Sequence, residues 1–119
     1  MKDQYSLQAL QQDWLNFLWN RGHAVKIRRQ KDGIVVTHSR DGSTFRWILF
    51  TADGPIKKLR LEEKRRLKRQ IRLARSERQK VFVVVHFSYP APKVVIKPAD
   101  KVLQTRQIDS ARGGIDWYT

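Results

Sequence analysis

The densest chemistry in this sequence is a run of cationic side chains between residues 57 and 80. Twelve Lys and Arg stand there against three Glu, so the segment carries a net charge of +9. On a helical wheel the cations crowd one side, where neighbours three and four residues apart repel each other by about 0.2–0.5 kcal/mol per pair. A helix face that tolerates this repulsion is typical of a phosphate-binding surface. The opposite side is a narrow apolar stripe of Ile56, Leu67, Ile71 and Ala74, which can lie on a sheet.

The charge of the whole chain indicates the same class of partner. The 119 residues hold 25 Lys and Arg against 11 Asp and Glu, which gives a net charge of +14. We therefore predict a nucleic-acid-binding protein. A merely solvated basic face and an acidic protein partner are the alternatives. The predicted nucleic-acid-binding residues are Lys57, Lys58, Lys64, Arg65, Lys68, Arg69, Arg72 and Arg75, and Arg46 is a further candidate for that surface.

The sequence gives little support for cysteine-based sites, histidine metal sites or a membrane span. The chain has no Cys, which excludes disulfides, thiolate zinc sites and a cysteine nucleophile. Its three His residues lack the spacing of metal ligands and are expected to pack in a core or at a sheet edge. The longest apolar run, residues 81–85, is far shorter than a membrane span. With no signal-peptide pattern at the N-terminus, we expect a soluble, cytoplasmic protein with no membrane partner.

The elements that must position the cations follow from the hydrophobic periodicity. Ser6 is a good N-cap for a helix over residues 6–21, and Gly22 is placed to end it. Asp32-Gly33 and Asp41-Gly42 separate three alternating runs, which predicts an antiparallel meander. The runs are residues 24–29, 34–38 and 44–51, and they are followed by a helix over about 59–78, strands at 80–88 and 93–97, and a short helix from Pro98 to about Thr105.

The predicted fold class is α+β, with a single mixed sheet and the order α-β-β-β-α-β-β. A chain of this length is too short for two cores, so residues 1–119 are expected to form one domain. The core would span about residues 6–105. Residues 106–119 read as a loop-like tail with Trp117 as its only large anchor.

This order of elements resembles the core of the restriction-endonuclease-like nucleases, the PD-(D/E)xK superfamily, which includes archaeal Holliday-junction resolvases. The resemblance covers about residues 6–97. It implies DNA rather than RNA as the partner, and a homodimer as the possible assembly. In that superfamily an Asp begins the second strand, and an acid-x-Lys motif on the third strand completes a site that binds Mg²⁺ and activates water.

Carried onto this chain, the resemblance implies a degenerate catalytic site. Asp32 matches the Asp of the second strand, but Leu49 and Thr51 stand where the acid and the Lys belong. We therefore expect a DNA-binding protein on a nuclease-like fold that has lost catalysis and takes no metal or other cofactor. Asp32 and Glu63 also have ordinary structural explanations, since Asp32 suits a turn beside Gly33 and Glu63 suits the first turn of a helix.

Two further functions stay open. In some of these nucleases the acid or the Lys has moved to the following helix. Asp32, Glu63 and Lys58 would then form a displaced site in an active Mg²⁺-dependent endonuclease. Alternatively, the order α-β-β-β-α with a basic second helix also suits a double-stranded RNA-binding domain, which reads RNA by shape.

Overall fold

The computed structural model describes residues 6–21, 24–30, 33–40, 42–88 and 92–110. Three helices and seven strands make up these residues. In chain order they are α1 (Leu7–Trp19), β1 (Ala24–Gln30), β2 (Gly33–Arg40), β3 (Ser43–Ala52), β4 (Ile56–Lys58), α2 (Leu61–Ser76), β5 (Gln79–Phe87), β6 (Lys93–Pro98), α3 (Ala99–Thr105) and β7 (Gln107–Asp109). The α+β class and the meander of the first three strands are confirmed.

The main sheet is mixed, as predicted, and has five strands in the order β1-β2-β3-β5-β6. All its neighbouring strands are antiparallel except β3 and β5, which run parallel from Thr44 opposite Gln79 to Ala52 opposite Phe87. Parallel neighbours need a crossover connection, and the segment from β4 through α2 supplies it. The strands that precede and follow α2 in the sequence therefore hold this basic helix against the sheet.

The helices cover opposite faces of this sheet, because successive strand residues point to opposite sides. Helix α1 packs Leu10, Trp14 and Leu18 on a cluster that includes Leu49 of β3. Helices α2 and α3 pack on the other face, in a cluster that includes the neighbouring Phe50. Each buried residue of β3 thus belongs to a definite side of the molecule.

Helix α1 begins where Ser6 was predicted to cap it. The Ser6 hydroxyl accepts a hydrogen bond from the backbone N–H of Ala9 at 3.0 Å, which satisfies one of the helix's unpaired donors. Leu10, Trp14 and Leu18 are buried at helical spacing. The predicted role of Gly22 lies outside the described residues.

The predicted helix over about 59–78 is two residues too long at each end, since α2 runs from Leu61 to Ser76, and the predicted tail begins too early. Residues 56–58, of which Ile56 was assigned to the apolar stripe of that helix, form β4, which pairs antiparallel with β7 as a separate two-stranded sheet. Ile56 is 43% exposed and is not part of the apolar stripe. Ile108 of β7 is buried, and the ammonium of Lys93 donates to the carbonyl of Ser110, so the core extends to residue 110. The predicted anchor Trp117 lies outside the described residues. No helix within the described part of the chain is long and apolar enough to cross a membrane.

Candidate nucleic-acid interface

Helix α2 lies on the sheet through a stripe that combines apolar and polar side chains. Leu67, Ile71 and Ala74 are buried as predicted, and Glu63 and Gln70 are buried with them. Glu63 stands at the third helical position and accepts the backbone N–H of Arg60 at 3.0 Å. A carboxylate there satisfies an unpaired donor and complements the helix dipole. The first turn is therefore anchored by a buried charge.

The side of α2 that faces away from the sheet is cationic from Arg65 to Arg75. The helix carries seven Lys and Arg against two Glu, and sixteen residues span about 24 Å. Lys64 and Arg66 are half-buried at the flanks. The exposed cations of α2, which we call the outer basic face, are Arg65, Lys68, Arg69, Arg72 and Arg75. All five were predicted from the sequence to bind nucleic acid, and that role remains a prediction.

Arg75 of the outer basic face has an acidic neighbour. Arg75 lies 3.7 Å from Asp100, the acidic residue in the first turn of α3. Both side chains are largely exposed, so solvent screens the pair and it contributes little to stability. The pair does show that α3 lies directly beside α2 on the same side of the sheet.

Lys57 occupies a different environment from the outer basic face. It belongs to β4, its side chain is 15% exposed, and its Nζ lies 2.9 Å from Oε2 of Glu63. Its ammonium is also 5.8 Å from the centre of the Phe50 ring. Because the Lys57 ammonium is already paired with Glu63 and is largely buried, Lys57 is not placed to contact phosphates as the sequence predicted. Lys58, the next residue, is exposed on the same strand.

The ionisation of Glu63 reflects this environment. Burial by itself raises the pKa of Glu63, but the Arg60 backbone N–H, the Lys57 ammonium and the Arg60 side chain together outweigh it. The net result is a pKa below the ordinary value of 4.5. Glu63 is therefore a carboxylate at neutral pH, with its oxygens bonded to Arg60 and Lys57.

Arg46 is buried beneath α2 and is not part of the binding surface. It is 1% exposed, and its guanidinium donates to Gln70 and Gln79 at 2.7 Å each and to Glu77 at 3.0 Å. These partners belong to α2, to the turn after it and to β5. The network thus ties the end of the basic helix to β3. An Arg in an alternating strand pattern reads as solvent-exposed, so the sequence held no signal of this role.

The described residues do not fit the metal site that the resemblance implies. Leu49 is buried under α1 and offers no ligand, and Thr51 carries a hydroxyl where the resemblance implies a Lys. Glu63 lies on the opposite face of the sheet, beneath α2, so the fold does not bring it to Leu49 and Thr51. Across the described ranges, no three His, Asp or Glu side chains are grouped as a possible metal site. Asp32 lies outside the described residues.

His86 lies beside Thr51 in the sheet, and the sequence assigned it no functional role. The two residues are register partners of the parallel strands β5 and β3. His86 is 2% exposed, and burial lowers its pKa below 6.5, although Asp13 and a backbone hydrogen bond oppose the shift. The imidazole is therefore neutral at neutral pH. For His86 this agrees with the expectation that it packs within the fold.

Comparison with known proteins identifies the fold. No family model matches the sequence, and no curated protein matches it. Among solved structures, the chain is similar to the Holliday junction resolvase Hjc of Archaeoglobus fulgidus, with a TM-score of 0.64 and 17% sequence identity over 87% of this chain and 88% of that one. At this identity the likeness concerns the backbone. It confirms the architecture implied by the resemblance: this chain has a restriction-endonuclease-like fold.

Proposed function

We propose that this protein binds DNA through the outer basic face of α2 and does not cleave it. The observation that carries the proposal is the concentration of exposed cations on one helix that the sheet, Glu63 and Arg46 hold in place. Phosphate contacts of this kind supply most of the sequence-independent affinity for nucleic acid. The protein with the similar fold is a Holliday junction resolvase, which makes branched DNA a natural ligand to test.

The geometry of the outer basic face suits a run of phosphates. Arg65, Arg69 and Arg72 follow each other at intervals of four and three residues, so they form one ridge along about 10 Å of helix. Lys68 lies beside this ridge. Duplex DNA carries one negative charge per about 1.7 Å of its axis, so several phosphates lie within reach of the ridge.

We infer the absence of cleavage from the side chains that are available to bind a metal ion. Metal-assisted hydrolysis needs carboxylates that hold the ion and a group that stabilises the developing charge. Leu49 and Thr51 supply neither, and the carboxylate of Glu63 is engaged by Lys57 and Arg60 on the other face of the sheet.

The test measures binding as a function of salt. Fluorescence anisotropy with a labelled duplex and a four-way junction, from about 50 to 300 mM NaCl, gives the slope of log K against log salt. The variant Arg65→Gln/Lys68→Gln/Arg72→Gln should lower the magnitude of this slope on the duplex by about 2.7, since each lost phosphate contact removes about 0.9.

The matched control removes the same charge elsewhere. Arg21, Lys80 and Arg106 are exposed and lie outside α2, so their triple Gln variant should lower the slope by less than about 1. Equal effects of the two variants would mean that net charge, and not this face, binds DNA. Tighter binding to duplex RNA would favour the RNA-binding alternative, and equal binding to polyglutamate would refute the proposal.

A further inference from the structure

A group of aromatic rings lies on the α1 side of the sheet, opposite the outer basic face. Phe45 and Trp47 share this side with Leu49 because they stand at alternate positions of β3, and Phe82 of β5 is the register partner of Trp47. The centre of the Trp47 ring lies 6.0 Å from that of Phe45 and 5.1 Å from that of Phe82, and both pairs are stacked. All three side chains are half-buried, so part of each remains at the surface. We call these three residues the aromatic platform.

Helix α1 fixes the platform from one side. Trp14 of α1 is buried and meets the Trp47 ring edge to face, with their centres 5.1 Å apart. Phe45 is the third residue of β3 and Phe82 the fourth of β5, so the platform lies where these two parallel strands begin. Rings that are already held in place lose little conformational freedom when a ligand binds to them.

Exposed cations stand beside the rings. The Nζ of Lys80, which is the register partner of Phe45, lies 5.6 Å from the centre of the Phe45 ring. On α1, the Arg21 guanidinium lies 4.1 Å from the centre of the Phe17 ring, and Phe17 in turn stacks on Trp14 at 5.0 Å. Both cations are exposed. The platform is therefore part of a continuous row of ring contacts with a cation at each end.

We propose that the aromatic platform binds unpaired bases of a DNA strand, with Lys80 and Arg21 at the phosphates of that strand. Every base has a flat face that stacks on an aromatic ring, and proteins that bind single strands combine such rings with a basic surface. Bases within a duplex already stack on their neighbours, so the platform favours a strand whose bases are unpaired.

Charge distinguishes this ligand from other occupants of the platform. A second copy of the chain would bring Lys80, Arg21 and a net charge of +14 against the same charges. An apolar peptide would leave both cations without a partner. The choice of DNA over RNA rests on the proposed function, whereas the stacking of bases on the platform does not depend on the outer basic face.

The test separates bases from phosphates. Fluorescence anisotropy at about 0.1 M NaCl compares a labelled oligothymidylate of about 12 nucleotides, the same strand with every base removed, and a blunt duplex. We expect the parent chain to bind the oligothymidylate at least about fivefold more tightly than the abasic strand, since one stacked base contributes that factor or more. The variant Phe45→Leu/Phe82→Leu should remove this preference, and should bind the abasic strand and the duplex within about twofold of the parent chain.

The unchanged affinity for the abasic strand also shows that the double variant is folded, because unfolding would weaken binding to all three ligands together. Should the double variant unfold, Phe45→Leu alone should lower the preference by at least about twofold. Lys80→Gln should lower the magnitude of the salt slope on the oligothymidylate by about 0.7, the value for one phosphate contact on a single strand, and should have little effect on the slope for the blunt duplex.

Two controls show whether the preference belongs to the platform. Trp19 is 73% exposed and lies two residues from Phe17, on the other side of α1, so Trp19→Leu should keep the preference within about twofold. The triple Gln variant of the outer basic face should weaken binding of both single strands by the same factor and keep the preference as well. Failure of the proposed function, in which that triple variant binds duplex like the parent chain, is therefore visible separately from failure of this inference.

Three results would overturn the inference. They are equal affinity of the parent chain for the two single strands, a preference that survives the loss of both Phe rings, and a preference that Trp19→Leu reduces as much as the double variant does. Tighter binding of the RNA strand of matching sequence would refute the choice of DNA.

Discussion

Replacing Glu63 by Gln is the substitution that most sharply separates a structural role for this residue from a catalytic one. The side chain is 4% exposed, and its carboxylate contacts the Lys57 ammonium at 2.9 Å, the Arg60 backbone N–H at 3.0 Å and the Arg60 guanidinium at 3.2 Å. The amide of Gln has nearly the same shape and its oxygen can still accept the backbone N–H. The change therefore removes the charge while it keeps the volume and the cap.

The expected cost follows from these contacts. A hydrogen bond to a charged group contributes about 1.5–3 kcal/mol, and Lys57, at 15% exposure, would be left without its counter-charge. The exposed Arg60 side chain adds little. We therefore expect Glu63→Gln to lower the free energy of unfolding by about 2 kcal/mol at pH 7, roughly the lower range for a broken buried pair after the retained cap is allowed for.

The pH dependence has a definite sign. The pKa of Glu63 in the folded state lies below 4.5, its ordinary value, so the folded state binds fewer protons than the unfolded one in this range. The stabilisation is present in full above pH 4.5 and is lost as the pH falls through the lower, folded-state pKa. Because both the parent and the Gln variant are then uncharged at this position, the difference between them should shrink toward zero in acid.

Urea unfolding followed by circular dichroism, from pH 7 down to the acid limit of the folded state, measures this difference. A double-mutant cycle with Lys57→Met isolates the pair, and Glu62→Gln, an exposed neighbour in the same turn, is the control that should change stability by less than about 0.5 kcal/mol. A loss below about 0.5 kcal/mol at pH 7, or a loss that does not depend on pH, would refute the structural role assigned to Glu63.

Three further predictions test the core, the helix anchor and the chemistry. Trp14→Ala should cost about 3–5 kcal/mol of unfolding free energy because Trp14 is 1% exposed, whereas Trp19→Ala, at a position 73% exposed, should change it by less than about 0.5 kcal/mol; chemical denaturation compares the two. Arg46→Met should cost about 2–4 kcal/mol in the same assay, since it removes the three hydrogen bonds of a buried guanidinium, while Arg72→Met on the exposed side should be nearly neutral. Finally, we expect no nicking of supercoiled plasmid, branched DNA or RNA with Mg²⁺ or Mn²⁺. Cleavage by the purified chain that disappears in Asp32→Ala or Glu63→Ala would contradict this and favour the displaced catalytic site.

The sequence pattern alone predicted helix α1, the three-stranded meander and the two sides of α2, because interactions between nearby residues determine these features. The Ser6 cap and the stripe through Leu10, Trp14 and Leu18 predicted α1, because capping and helical spacing depend only on nearby residues. Alternation and the Asp-Gly turns predicted the meander for the same reason. The stripe of Leu67, Ile71 and Ala74 likewise predicted which side of α2 meets the sheet and which side carries the cations.

Tertiary structure alone decided the pairings and environments that join distant parts of the chain. The strand β4 forms because residues 56–58 pair with β7 some fifty residues later in the chain, and no local pattern in residues 56–58 indicates that distant partner. Arg46 is buried because Gln70, Glu77 and Gln79 supply acceptors for its guanidinium, which periodicity cannot reveal. The same holds for Glu63, whose position in the first turn of a helix could be predicted from the sequence. Its ion pair with Lys57, on the face of the sheet opposite Leu49 and Thr51, depends on how β4, α2 and β3 pack together.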